Sequence, residues 1–132
     1  MSADEVLREC LNLYVKSIEA AENAGTAERV WETGDAASLI YPLGWERGWR
    51  NIRRNFYEKV MAGKFRDRHL NIVGKPVIRH FDGFSLIEFA WDFEAVSRED
   101  GARVFTRGRE SQVYLAGEAS PKLVHVHYSL RA

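Results

Sequence analysis

Early in the chain, Leu7, Leu11, Tyr14, Ile18 and Ala21 recur at steps of four and three. That stripe predicts an amphipathic helix, and Ser2 and Glu5 stand at capping-box spacing before it. Gly25 ends the helix. Thr26 can cap a short second one, AERVWE, with Val30 and Trp31 as its inward residues. ASLIY then reads as a short strand stopped by Pro42, and PLGWERG as a loop. A third helix is expected from about Trp49 to Ala62, closed by Gly63.

From His69 onward the pattern turns to strands. PVIRHF and FSLIEFAWDFEAV flank Asp82-Gly83, a two-residue hairpin signal. A second Asp-Gly, at Asp100-Gly101, precedes ARVFTRGRESQVYL. The polar stretch AGEASP leads to a closing strand, KLVHVHYSL. Helices first and a strand meander afterwards give an α+β class, with three helices packed on one face of a curved antiparallel sheet.

If Asp100 and Gly101 alone form the turn, Phe93 faces Gly108, Trp91 faces Glu110, Phe89 faces Gln112 and Ile87 faces Tyr114. The same register sets Glu94 against Arg107 and Asp92 against Arg109 on the opposite face. It also puts Glu110 and Gln112 on the covered side with Ile87, Phe89, Trp91 and Phe93. A second break in the pattern lies on the third helix. At about 100° per residue, Arg53 falls within the arc of Trp49, Ile52, Phe56, Tyr57 and Val60. A charge there costs several kcal/mol unless it is paired or solvated, and Glu110 is the natural partner. The pair reads equally as a structural ion pair or as a ligand-facing couple.

At 132 residues the chain fits one domain, 1–132, with a sizeable core. Nineteen Lys and Arg balance nineteen Asp and Glu, and the pI is near 6.9. No electrostatic pull toward nucleic acid or an anionic membrane follows. Arg47, Arg50 and Arg54 share their surface with Glu46 and Glu58, which marks a solvated helix face. The acidic start MSADEVLREC does not resemble a signal peptide, and no apolar run approaches the roughly 20 residues that span a bilayer. One cysteine, Cys10, excludes an internal disulfide and suits a reducing compartment. A soluble, cytoplasmic protein is expected.

Four stretches together resemble the nuclear-transport-factor-2-like superfamily: ENAGTAERVWE, GWRNIRRNF, GRESQVY and the terminal VHVHYS. The resemblance covers the whole chain and is nearest to the SnoaL-like proteins and the association domain of calcium/calmodulin-dependent kinase. It implies a cone-shaped domain with a cavity between sheet and helices, and a homodimer through the outer sheet face. It implies no single reaction, since the fold hosts enzymes and non-enzymatic modules alike. Ketosteroid isomerase, in the same superfamily, uses a carboxylate base with a tyrosine and a protonated aspartate as donors. Here Tyr41 stands at the base position, and counting back from Gly25 puts Ile18 at the donor position. That mechanism is disfavoured. The cations that line the kinase domain's cavity are replaced by Trp91 and Gln112.

His125 and His127 share one strand face and are of metal-ligand type, but His69, His80 and scattered carboxylates stand at no motif spacing. No metal and no cofactor are expected. One strand parity places His127 beside Glu110 as an acid/base couple. The other turns Val124, Val126 and Tyr128 inward and both histidines outward, and the apolar alternation favours it. Trp31, Tyr41, Trp45, Phe89, Trp91, Gln112 and Tyr128 are candidate pocket residues with Arg53, against the plainer reading that the aromatics fill the core. The expected function is binding of a small carbonyl or acidic organic compound. Any catalysis would be a cofactor-free isomerase, dehydratase or cyclase reaction through Glu110. The rival is a non-catalytic ligand-sensing or oligomerisation module.

Overall fold

The computed structural model describes residues 1–131. Helix α1 (Ala3–Glu19) starts on the expected capping box, with Ser2 and Glu5 bonding each other's backbone. It buries Leu7, Cys10, Leu11, Tyr14 and Ile18. Helix α2 (Ala24–Glu28) begins three residues earlier than AERVWE because Asn23, not Thr26, supplies the cap. Val30 and Trp31 still turn inward, but Val30 from the turn after the helix and Trp31 from a single parallel bridge to Leu123. After β1 (Ser38–Tyr41), the expected loop forms a short strand, β2 (Gly44–Arg47), paired antiparallel to it.

The third helix departs most from expectation. A single α-helical turn, α3 (Trp49–Asn51), passes into a π-helical segment over Ile52–Ala62. Its i→i+5 bonding turns the chain through less than 100° per residue. Two adjacent pairs, Phe56-Tyr57 and Val60-Met61, therefore both face the core, and Arg53 moves to the flank.

Four long strands complete the sheet: β3 (Phe65–Phe81), β4 (Phe84–Ser97), β5 (Arg103–Leu115) and β6 (Lys122–Leu130). Their order is β2-β1-β6-β5-β4-β3, antiparallel throughout except for β1 on β6. The Asp82-Gly83 turn closes β3 on β4 as expected, with Phe81 facing Phe84. The β4–β5 hairpin is closed differently. Ser97 and Ala102 bond across a four-residue loop, so the strands slide by two residues. Trp91 faces Gly108, Phe89 faces Glu110, and Asp92 meets Arg107, while Glu94 has Phe105 opposite. A slide of two keeps every side chain on its expected face. Glu110 and Gln112 remain inside.

One linchpin has no sequence signature. A bulge between Arg66 and His69, with Asp67 at φ 51°, turns Arg68 into the core at 4% exposure. Its guanidinium donates to the carbonyls of Ile18 (2.7 Å), Glu19 (3.1 Å), Met61 (3.1 Å) and Phe65 (2.8 Å), and to the Glu22 carboxylate. One cation thus caps the C-terminal carbonyls of α1, ties the π-helical segment to the sheet and balances the helix dipole. At the opposite end, His80 bridges Ser85 (2.8 Å) and Asp4 (2.6 Å), fastening the start of α1 to the β3–β4 hairpin. Among the described residues no helix is long and apolar enough to cross a membrane.

Candidate functional site

The helical layer does not fill the space over the sheet. It leaves a cavity of about 230 Å³ walled by Tyr14 and Ile18 of α1, Phe56, Val60 and Met61 of the π-helical segment, and Trp91, Phe93, Glu110 and Tyr128 of the sheet. Nearly all of this wall is hydrocarbon or aromatic. Glu110 supplies the one carboxyl, and Lys64, on an exposed position, stands at the rim.

Glu110 sits mid-strand on β5, between Phe89 on β4 and Tyr128 on β6. It is 6% exposed. Burial raises its pKa from 4.5 to about 8, held back by hydrogen bonding from Gln112 and from Tyr14. The carboxyl is therefore protonated at neutral pH. Gln112 Nε2 donates to Oε2 at 2.7 Å, and Tyr114 donates to Gln112 Oε1 at 2.7 Å. Gln112 thus occupies Oε2 of a carboxyl that lines the cavity and that also takes a hydrogen bond from Tyr14. The Tyr14 and Tyr128 phenols, their own pKa values pushed up mainly by burial, stay neutral beside it.

Trp91 forms the adjoining wall, edge-to-face with Tyr128 at 5.6 Å between ring centres. The indole lies on Gly108, where a Cβ would come within 2.2 Å of Trp91 and 2.4 Å of the Ser129 carbonyl. Glycine at 108 is thus a requirement of the wall. The Trp91 Nε1–H is buried and makes no hydrogen bond among the described residues, a donor without an acceptor beside the cavity.

Of the residues singled out from sequence, Glu110, Trp91 and Tyr128 line the cavity, and Gln112 stands behind Glu110. Phe89, Trp31 and Tyr41 are buried around it without lining it. Trp31 gives its Nε1–H to Tyr57 at 2.8 Å, and Tyr57 reaches Ser17 at 2.8 Å, a closed polar chain in the core. Tyr41 packs on Phe56 and Tyr128 and gives its hydroxyl to Glu46 at 3.0 Å. Trp45 lies outside, 61% exposed, under the Arg47 guanidinium.

Arg53 does not reach Glu110. It is exposed and pairs with Glu58 at 3.2 Å, because the π-helical winding rotates it off the core face. His127 does not reach Glu110 either. β6 presents Leu123, Val126 and Tyr128 to the core, and a bulge opposite Val113 and Tyr114 replaces the expected Val124 with Leu123. His127 is therefore exposed on the outer face opposite Ser111, and His125 beside it bonds Ser38 at 2.7 Å. Burial and then His127 lower the pKa of His125.

The residue missed from sequence is Tyr14. Its place on the apolar stripe reads as core filling, and counting from Gly25 puts Ile18 at the donor position, which leaves that role vacant. Both line the cavity, and Tyr14 is the one whose hydroxyl acts on Glu110. Among the described residues no group of three or more His, Cys, Asp or Glu side chains is placed to hold a metal ion.

No protein-family profile and no curated protein sequence matches the chain. Solved structures do. The hexachlorocyclohexane dehydrochlorinase LinA-type3 from Novosphingobium barchaimii LL02 superposes with a TM-score of 0.83 at 8% identity, over 98% of this chain and 87% of that one. The CaMKII hub of S. rosetta superposes at 0.78 with 14% identity, over 99% and 98% of the two chains. At such identities the likeness shows the fold alone. A nuclear transport factor 2 (NTF2-like) superfamily protein from Salmonella enterica serovar Typhimurium LT2 superposes at 0.93 with 35% identity, over 99% of this chain and 94% of that one. With that level of identity sustained from end to end, the chain belongs to the nuclear-transport-factor-2-like superfamily.

Proposed function

We propose that this protein binds a small uncharged organic molecule in the cavity and that Glu110 donates a proton to the ligand's carbonyl oxygen. The observation that carries the reading is a carboxyl buried in an apolar cavity wall, held on Oε2 by Gln112 and met by the Tyr14 hydroxyl, where burial favours the protonated form. A cavity of about 230 Å³ exceeds the roughly 150 Å³ that accepts benzene, so a substituted single ring or a chain of similar bulk fits. With Arg53 outside, the cation expected to hold an acidic ligand is away from the wall, and Lys64 stands only at the rim. A neutral carbonyl compound suits the site better.

Burial pushes the Glu110 carboxyl up toward neutrality. It can polarise a carbonyl as the acid and, once ionised, accept the α-proton, which is the chemistry of a cofactor-free isomerase, dehydratase or cyclase. The lack of a second carboxyl or an imidazole on the wall, among the described residues, favours one alternative, a non-catalytic ligand-sensing or assembly module. The dehydrochlorinase and the hub represent the two outcomes on this fold. The reading includes a homodimer through the outer sheet face, which exposes Val73 and Phe105 together with charged positions. It also includes a reducing compartment such as the cytoplasm, in keeping with the single free thiol of Cys10.

The test is a thermal-shift panel of cyclic ketones, enones and matched carboxylates against wild type and Glu110→Leu. Uncharged carbonyl compounds should stabilise the wild type and not the variant. A panel in which no compound distinguishes the two overturns the reading. For each binder, deuterium uptake from D₂O next to the carbonyl separates an enzyme from a sensor. An enzyme exchanges that position and its Glu110→Gln form does not. A sensor exchanges nothing.

A further inference from the structure

We propose that Tyr114 is a positioning residue for Glu110, acting through Gln112 to keep the carboxyl proton turned toward the cavity. This deepens the reading of Glu110 as the cavity's proton donor and rests on it.

Gln112 lies between the two groups and is fully buried, as is Tyr114. A primary amide has a donor end and an acceptor end, and a half-turn about its last torsion exchanges them. In the observed orientation Nε2–H meets Glu110 and Oε1 meets Tyr114, both at 2.7 Å. In the reverse orientation Oε1 would meet Glu110 and accept its proton. The acid would then be spent on a protein partner, with nothing to offer a ligand. The two orientations have the same shape, so the surrounding hydrocarbon does not choose between them. Tyr114 does. Its buried O–H has Gln112 Oε1 as its one acceptor among the described residues, and reversing the amide would strand it. Tyr114 is thereby the switch-setter for a proton two side chains away, and it touches no ligand itself, since it does not line the cavity.

The remaining titratable groups facing Glu110 are Tyr14 from α1, Tyr57 from the π-helical segment and Tyr128 from β6, with Lys64 at the rim. The tyrosines are buried phenols that stay neutral, and none bonds the Gln112 amide. Replacing Tyr114 by Phe removes the O–H, frees the amide to reverse, and trades a donor on Glu110 for an acceptor. A donor favours the carboxylate and an acceptor favours the acid.

The experiment is a carboxyl ¹³C NMR titration of Glu110 without ligand in four proteins: wild type, Tyr114→Phe, Gln112→Met and the double variant. Tyr114→Phe should move the midpoint upward by about one pH unit, a tenfold gain in proton affinity. Gln112→Met, which removes the donor outright, should also raise it. Tyr114→Phe should then add nothing in the Gln112→Met background. A midpoint unmoved by Tyr114→Phe, or moved equally with and without Gln112, overturns the proposal. Should Tyr114→Phe not fold, the wild type still decides. Nuclear Overhauser contacts from the Gln112 amide protons to the Glu110 methylene support the assignment, and contacts to the Tyr114 ring edge alone overturn it. Because the titration uses no ligand, a failed compound screen and a failed relay are separate results.

Discussion

Replacing Glu110 by Gln tests the buried acid through folding stability. The substitution keeps size and hydrogen-bonding shape but removes the proton equilibrium. The carboxyl titrates at about 8 in the folded protein and at the ordinary 4.5 when exposed. Between these values the folded state holds a proton that the unfolded chain has released. Stability contributed by this group is fully present below pH 4.5 and falls as pH rises toward 8. At about 1.4 kcal/mol per pH unit, the loss is under about 1 kcal/mol at pH 5 and roughly 3 kcal/mol at pH 7. Glu110 is only 6% exposed, so little solvent screening reduces it. Urea unfolding of wild type and Glu110→Gln at pH 5, 6, 7 and 8 should show the variant gaining on the wild type across the series, most at pH 8. A stability difference that stays constant over these pH values would refute the reasoning, whatever its size.

Other substitutions separate the cavity from its surroundings. Arg68→Met strips the cap from the α1 and π-helical carbonyls and should cost about 3 kcal/mol in urea unfolding, with the melting point falling accordingly. Gly108→Ala forces a methyl group into Trp91 and the Ser129 carbonyl, with an expected loss of about 1–3 kcal/mol and of ligand response. Arg53→Met removes an exposed ion pair worth about 0–1 kcal/mol and should leave binding of any cavity ligand unchanged in the thermal-shift panel. Dimerisation through the outer face predicts a dimer mass at micromolar concentration in light scattering, and a monomer there would contradict it.

The sequence made the α+β layering readable because its signals were local. The α1 stripe and its capping box, the Asp82-Gly83 turn and the alternation along β4 each act within a few residues. Glu110 was legible for a subtler reason. Its face depends only on strand parity, and the error in the β4–β5 turn was a slide of two, which preserves parity. Arg53 failed because its placement depended on helical winding. A few tens of degrees lost over each π-helical turn carried it from the core to solvent, and nothing local announced the change. Arg68 was invisible because a bulge alone turns it inward. Tyr14 was visible but mistaken for core, since an apolar stripe does not reveal which of its members faces a void.

The most direct measurement is the carboxyl ¹³C titration of Glu110 in the wild-type protein. A midpoint near 8, with the carboxyl still protonated at pH 7, is the predicted result. A midpoint near the ordinary 4.5 would mean an ionised, solvated carboxylate and would contradict the proton-donating cavity on which the functional reading stands.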